Sequence, residues 1–403
     1  MFLPKKILLT LLAAVSLLSV LSCSSDGDEP QDVPTEQTVI MFFPWSNTLY
    51  GDFQRSVRNF SNAVARRGLR GERVVVCMAT DPTSAVLYEL KCSGGKCSND
   101  TLRRFSGRTF TSRSSMASLF GDIKAIAPAP RYGMVVGSHG LGWVPVSSQQ
   151  RAARVSMHYD MVPGNANSNY GAVPSVLKTR YIGGTTPATQ IEIGDFAGAM
   201  ADASLHTEYI LFDNCYMSSV EALYQLRHVT DRVVACPTEV LAYGFPYANC
   251  APFLLGTPDL KAVADAFISY YTATDTPYAT VAVVDCSQLD NLATLVREAN
   301  LASTTDDATI RSDIQVMDGY SPTIFFDLGH YLSLKCSDTT LRQVIEAQLA
   351  LTVPVQGHTP RFYSALKGGS TAISHYSGLT TSEPSANRLA ATVDETDWYK
   401  ATH

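Results

Sequence analysis

A histidine and a cysteine each follow a short apolar run in this sequence, and together they could carry out nucleophilic chemistry. Residues 132–138 lead into His139, and residues 209–214 lead into Cys215. In an open sheet of parallel strands, ligands bind beyond the carboxyl ends of the strands. If the two runs are neighbouring strands, about 4.8 Å apart, an imidazole and a thiol can face one substrate carbonyl there.

The residues around this pair fit attack on a carbonyl. A cysteine attacks as its thiolate, and its pKa falls beside a protonated histidine or near the N-terminus of a helix. Ser218 and Ser219 are candidate N-cap residues of a helix that follows Cys215. His139 would protonate the leaving amine, and the backbone NH groups of Gly140 and Cys215 are candidate donors to the oxyanion. Taken singly, a strand-end cysteine is more often an inert buried thiol, and a His-Gly pair is more often a turn.

The elements that would position these residues alternate between short β-branched runs and amphipathic helical segments. Because the predicted strands are apolar on both faces, they need helices on both sides. The predicted fold class is therefore α/β, a mostly parallel sheet flanked by helices, with a less regular α+β part at the C-terminus. The clearest predicted strands are 38–43, 73–78, 133–138, 208–213, 232–236 and 280–284.

Composition narrows the function classes. The 403 residues carry a formal net charge of −6, and no long basic run is present, so nucleic acid is a poor candidate partner. No Cys-x-x-Cys or His-Glu-x-x-His spacing occurs, and no metal site is predicted. Among nine cysteines, Cys77, Cys236 and Cys286 lie in or beside apolar runs and are predicted to be structural. Cys92 and Cys97 could close a disulfide across a tight loop or remain free thiols.

The N-terminal segment has the pattern of an export signal. Lys5 and Lys6 precede an apolar run, 7–21, that is too short to span a membrane comfortably. Val20-Leu21-Ser22-Cys23 resembles the bacterial lipobox, which predicts a lipid on Cys23; the alternative is an ordinary signal with an incidental cysteine. Residues 1–22 are thus a predicted signal peptide and 23–37 a disordered tether. The acidic tether resembles that of surface lipoproteins of Bacteroidetes-type bacteria, so anchoring at the outer membrane or cell surface is expected.

Two signatures surround the reactive pair. His139-Gly-Leu-Gly-Trp143 resembles the H-G-x-G-W signature of the clostripain family of cysteine peptidases. Asp213-Asn-Cys215-Tyr-Met217-Ser-Ser-Val-Glu221 resembles its D-x-C-x-M-x-x-x-E signature. The resemblance implies a caspase-like fold, a dyad of His139 and Cys215, an acyl-enzyme, and cleavage of polypeptides after arginine or lysine.

The resemblance also implies a pocket for a basic side chain. Asp213 occupies the position of an aspartate that helps to line this pocket in the family, and Glu239 is the acid available in the segment that completes it. Asp213 could instead be a structural carboxylate that accepts backbone NH groups. Glu221 is expected to hold its helix in place rather than to touch substrate.

Family members are often activated by cleavage in the loop after the histidine strand. Four basic residues of this loop are candidate self-cleavage sites, or else ordinary solvated charges: Arg151, Arg154, Lys178 and Arg180. Some relatives require calcium, which makes calcium the one cofactor to consider, although no loop has a recognised calcium-binding spacing. Residues 38–290 are the predicted catalytic domain, and 291–403 pack on it or continue it. One competing interpretation is a catalytically silent protein of the same fold that binds peptides or glycans at the cell surface. Another is a different hydrolase that uses a thiol nucleophile on an α/β sheet.

Overall fold

One nine-stranded sheet forms the centre of this computed structural model, which describes residues 34–146, 183, 184 and 186–403. The strands are β1 (Gln37–Phe43), β2 (Glu72–Asp81), β3 (Ser84–Ser93), β4 (Lys96–Phe105), β5 (Arg131–Gly137), β6 (Tyr209–Asp213), β7 (Arg232–Ala235), β8 (Thr280–Asp285), β9 (Phe326–Asp327), β10 (Val355–His358), β11 (Arg361–Ser364), β12 (Gly369–Ala372) and β13 (Thr380–Thr381). The order in the large sheet is β10-β8-β7-β6-β5-β1-β2-β3-β4. The five strands from β7 to β2 are parallel, and antiparallel strands extend both edges.

Helices cover both faces of the sheet, as the apolar strands require. Phe42 of β1 packs against Phe120 and Phe196, whereas the next residue, Phe43, packs against Phe53. Successive side chains of a strand point to opposite faces, so Phe53 lies on one side and the other two lie on the opposite side. The described helices are α1 (Tyr50–Arg67), α2 (Arg113–Ile126), α3 (Ile193–Asp202), α4 (Val220–Leu226), α5 (Tyr247–Cys250), α6 (Leu260–Thr272), α7 (Leu289–Ala302), α8 (Asp307–Ile310), α9 (Leu328–Lys335), α10 (Thr339–Thr352) and α11 (Asp397–Thr402). The predicted α/β class is confirmed.

The cysteines divide as their surroundings predict. Cys92 and Cys97 face each other in the β3–β4 hairpin and form a disulfide, which settles the alternative left open by the sequence. Cys77, Cys236 and Cys286 are buried, and none of the three forms a disulfide bond. Burial raises the pKa of Cys77 and of Cys286 to about 12, so both remain protonated and unreactive near neutral pH.

The C-terminal part contributes to the same compact unit, which comprises residues 35–403. Strand β10 pairs with β8 in the large sheet, and β13 pairs with β9. The domain boundary at residue 290 stays a prediction. The signal segment, Cys23 and the four basic loop residues all lie outside the described residues. Within the described ranges, no helix combines the length and the apolar character needed to cross a membrane.

Candidate active site

The register of two neighbouring strands brings His139 and Cys215 to equivalent positions. Strands β5 and β6 are parallel and adjacent, and Gly137 is paired with Asp213 at their carboxyl ends. His139 and Cys215 each stand two residues beyond that pair. The expectation that the two apolar runs are neighbouring strands is therefore confirmed, and His139 and Cys215 lie at the edge where ligands bind in such sheets.

The two loops that follow these strands touch through their backbones. A Cβ atom added to Gly140 would lie 2.4 Å from the carbonyl oxygen of Cys215 and 3.1 Å from its nitrogen. The side-chain amide of Asn214 donates to the carbonyl oxygens of Ser138, at 3.0 Å, and of His139, at 3.1 Å. The residue before the cysteine thus holds the loop that carries the histidine, and only glycine fits at position 140.

The imidazole of His139 is almost fully buried, and a residue outside both loops contacts it. Its Nε2 atom lies 2.7 Å from the hydroxyl oxygen of Thr48, in the short helical turn after β1. The backbone NH of His139 donates to the carbonyl oxygen of Gly183 at 3.4 Å. A fixed hydroxyl beside one ring nitrogen limits the rotation of the ring, as the third member of a nucleophile–base arrangement does.

The thiol of Cys215 lies under the segment that follows β7. The backbone NH of Val240 donates to Cys215 Sγ at 3.2 Å, and the cysteine has no exposed surface. Tyr216 has a φ of 59°, in the left-handed region that non-glycine residues seldom adopt. Its NH donates to the carbonyl oxygen of Thr238 at 3.1 Å, and its hydroxyl donates to Glu239 at 2.8 Å. These bonds hold the sharp turn that presents the cysteine.

The two predicted specificity acids are buried and hydrogen-bonded. Asp213 accepts the backbone NH of Phe245, at 3.2 Å, and the hydroxyl of Tyr247, at 3.0 Å. Glu239 accepts the backbone NH of Ala365 at 2.9 Å in addition to the hydroxyl of Tyr216. Both side chains therefore tie loops together at the edge that carries Cys215.

The residues after Cys215 differ in their roles. Ser219 caps helix α4 by accepting the NH of Ala222, at 3.4 Å, whereas Ser218 donates its hydroxyl to the carbonyl oxygen of Gly378. Glu221 is completely buried and accepts the hydroxyl of Thr381, at 2.8 Å, and the NH of Ser382, at 2.7 Å. Burial raises the pKa of Glu221 to about 7, against the lowering effect of these hydrogen bonds.

Metal ligands do not gather at this edge. In the part of the chain that the structure describes, no group of three histidine, cysteine, aspartate or glutamate residues is placed to hold a metal ion. The loops at this edge carry a thiol, an imidazole and backbone NH groups, which are the types of group that covalent acyl transfer uses.

Comparison with known proteins identifies the family. A family model described as the clostripain family matches residues 110–328, which include both signatures. A solved secreted C11 cysteine protease from Bacteroides thetaiotaomicron, called iotapain, is 40% identical, with a TM-score of 0.82 over 92% of this chain and 100% of that one. The chain belongs to the clostripain family. It is a cysteine peptidase that acts on polypeptides, and its sheet is that of the solved family members.

Two further solved structures are similar to this peptidase. A clostripain from the same Bacteroides species, in complex with the peptide inhibitor BTN-VLTK-AOMK, is 45% identical over 55% of this chain and 99% of that one, with a TM-score of 0.54. An inactive zymogen C11 protease from Parabacteroides distasonis is 23% identical, with a TM-score of 0.74 over 91% of this chain and 98% of that one, and supports the fold alone. No curated protein gives a significant match.

Several residues at the site were not found from the sequence. Asn214 lies inside the second signature, so its place beside Cys215 has a signal in the sequence. Thr48 and Val240 belong to no recognisable pattern and reach the site only through the fold. Ser382 is remote in sequence from both signatures, although it contacts a residue of each.

Proposed function

We propose that this peptidase cleaves polypeptides after arginine or lysine through a dyad of Cys215 and His139, and that it is exported and lipid-anchored. The observation that carries the dyad is the register of β5 and β6, which sets both residues at matching positions beyond adjacent parallel strands. The backbone contact between Gly140 and Cys215 adds to it. A thiol and an imidazole so arranged have the types and places that acyl transfer needs.

The proposed first half-reaction forms an acyl-enzyme. The thiolate of Cys215 attacks the carbonyl carbon of the scissile bond, which forms the C–S bond and moves an electron pair to the carbonyl oxygen. The NH groups of Gly140 and Cys215 stabilise this oxyanion. Protonated His139 then gives its proton to the departing amine as the C–N bond breaks. Thr48 keeps the ring in place during this transfer.

The second half-reaction releases the acid product. Neutral His139 takes a proton from a water molecule, whose oxygen attacks the thioester carbonyl. The C–S bond breaks and the electron pair returns to sulfur, which restores the thiolate and the protonated histidine. His139 thus donates a proton in the first half-reaction and accepts one in the second, as microscopic reversibility requires.

Basic specificity is supported by the two acids near the nucleophile. Asp213 stands two residues before Cys215, and Glu239 precedes the residue whose NH contacts Sγ. Buried carboxylates favour a cation in their vicinity, because a low-dielectric surrounding screens their charge weakly. The inhibitor bound to the related clostripain has lysine as its last residue before the reactive group.

Export and maturation complete the proposal. The signal pattern and Cys23 support export with a lipid anchor, and the related iotapain is described as secreted. The sequence between β5 and α3 contains Arg151, Arg154, Lys178 and Arg180, which a peptidase of basic specificity can cleave in its own chain. The Cys215→Ala protein should then remain one polypeptide under conditions in which the wild type is cut in this loop.

The deciding experiment compares matched reporter peptides with matched variants. Reporters with arginine or its neutral isostere citrulline before the scissile bond are incubated with the wild type, Cys215→Ala, His139→Ala and Cys286→Ala. We expect arginine cleavage only, a loss of at least about a thousandfold in kcat for the first two variants, and full activity for the buried control Cys286→Ala. Retained activity in Cys215→Ala would reject the dyad, and equal cleavage of citrulline would reject the basic pocket alone.

A further inference from the structure

The last residues of the two signatures meet on one serine from the C-terminal part of the chain. The indole NH of Trp143 donates to the hydroxyl oxygen of Ser382 at 2.9 Å, and the backbone NH of Ser382 donates to Glu221 Oε1 at 2.7 Å. Thr381 donates its hydroxyl to the same carboxylate oxygen. Trp143 closes the first signature and Glu221 closes the second, so residues 381–382 join them.

The residues that form this bridge lie in the core of the protein. Thr381, Ser382 and Glu221 have no exposed surface, and Trp143 is 5% exposed. The NH of Thr380 donates to the carbonyl oxygen of Ser218 at 3.0 Å, which aligns the segment with the turn after the nucleophile. Glu221 Oε2 has no hydrogen-bond partner among the described residues, so the carboxylate is held through one oxygen only.

The loop of the first signature is held at both of its ends. Asn214 holds the start of the loop through the carbonyl oxygens of Ser138 and His139. Trp143 holds its end through Ser382. Between them lie His139 and Gly140, the proposed base and one proposed oxyanion donor, whose positions relative to Cys215 depend on both attachments. A displacement of about 1 Å at a reacting group can reduce a rate about a hundredfold.

We propose that Trp143, Ser382 and Glu221 are positioning residues for the peptidase reaction: Ser382 clamps the end of the histidine loop to the helix that follows the nucleophile. The clamp acts through His139 and Gly140 and touches no substrate. It draws on a segment beyond residue 328, where the match to the family model ends. This inference rests on the proposed function, since it requires His139 and Cys215 to be the reacting pair.

A double-mutant cycle tests the clamp. Trp143→Phe and Ser382→Ala each remove the same hydrogen bond, so each should lower kcat about tenfold with KM changed less than about twofold, and the double variant should also lose about tenfold. Multiplied losses of about a hundredfold, an effect confined to KM, or no loss at all would overturn the proposal. Alkylation of Cys215 by iodoacetamide should show the same non-additive pattern.

Matched variants separate positioning from general destabilisation. Thr352→Val removes another buried hydroxyl, whose bond to Gln348 lies within helix α10, and should lower the free energy of unfolding without lowering kcat. If the double variant does not fold, Glu221→Gln and Glu221→Leu decide: the amide keeps an acceptor for Ser382 and should retain kcat within about twofold, whereas leucine should lose about tenfold. Equal kcat values for these two, or an equal kcat loss in Thr352→Val, would contradict the clamp.

Failure of the clamp and failure of the dyad give different results. If Cys215→Ala keeps its activity, the proposed function fails and the clamp loses its purpose. If Cys215→Ala is inactive while the losses in Trp143→Phe and Ser382→Ala multiply, the dyad stands and only the clamp is rejected.

Discussion

The strand-end edge and the C-terminal segment 380–383 contribute to one site in different ways. The edge is made of local patterns: an apolar strand, a reactive residue, and glycine or serine in the turn that follows. The segment has no such pattern, yet Thr380, Thr381 and Ser382 are all buried, and they bond to Trp143 in the histidine loop and to Ser218 and Glu221 after Cys215. The residue types that could react are thus recognisable from sequence, whereas a distant partner such as Ser382 is recognisable only in the fold.

The comparison also separates two kinds of buried acid. Asp213 and Glu239 each accept two hydrogen bonds from loops at the edge. Glu221 accepts two hydrogen bonds through one oxygen and lies near Glu383, and burial raises the pKa of both carboxyl groups, to about 7 and about 8. The acids at the edge fit the proposed recognition of a basic substrate side chain, and those behind it fit a role in holding the C-terminal segment in place.

The largest expected effect is at the edge itself. Gly140→Ala places a methyl group against the backbone of Cys215; the clash is one of space alone, because the φ of Gly140 lies outside the left-handed region. We expect a loss of about a hundredfold or more in kcat, because the loops must separate. Steady-state kinetics with an arginine reporter measures it.

The matched control for that variant is Gly121→Ala. Gly121 lies in helix α2, and no atom other than those of its chain neighbours and of the helix's own backbone lies within 4 Å of an added Cβ. This variant should keep full activity and gain about 0.5–1 kcal/mol in the free energy of unfolding. Equal activity in the two alanine variants would show that the contact between the loops is unimportant for catalysis.

A smaller effect is expected on stability from the acids behind the edge. The folded chain holds the proton of Glu221 more tightly than the unfolded chain does, because the pKa rises from 4.5 to about 7. Between these values the folded state binds more protons, so the free energy of unfolding falls as the pH rises and is flat for this group above about pH 7. Glu221→Gln should flatten this fall by about 1 kcal/mol per pH unit in urea titrations from pH 5 to 7.

Glu89 supplies the control of opposite sign. Burial raises the pKa of Glu89, but hydrogen bonds from Arg73 and Lys91 outweigh this effect and hold the pKa below its usual value. Its contribution to stability is present above about pH 4.5 and is lost in more acidic solution. Glu89→Gln should leave the fall between pH 5 and 7 unchanged; if it flattens that fall as much as Glu221→Gln does, the assignment to Glu221 is wrong.

The smallest effect concerns the disulfide of the β3–β4 hairpin, which lies at the sheet edge away from β5 and β6. Replacing Cys92 and Cys97 by serine should cost at most about 2 kcal/mol, since the closed loop is short. Activity should be unchanged, and a reducing agent should reproduce the shift in the wild type. A parallel loss of peptidase activity would mean that the hairpin supports the site.

Much of the fold and the reactive pair could be predicted because they depend on local order. The run 133–138 is apolar on both faces and is followed by His139, and the run 208–213 is followed, after one residue, by Cys215. The two strands, the sheet edge at which they end and the residue types at that edge could therefore be predicted together. The disulfide could not be decided from the sequence, because the spacing of Cys92 and Cys97 permits a bond between them without requiring one. Thr48, Val240 and Ser382 could not be found, because their contacts depend on how distant segments pack.

One measurement tests the central claim most directly: identification of the residue that reacts with a lysyl peptide acyloxymethyl ketone. Mass mapping of the labelled wild type should find a single adduct on Cys215, and the labelling rate should fall about a hundredfold or more in His139→Ala, because the thiolate and its partner act together. A label on another cysteine, or an unchanged rate in His139→Ala, would contradict the assignment of this pair.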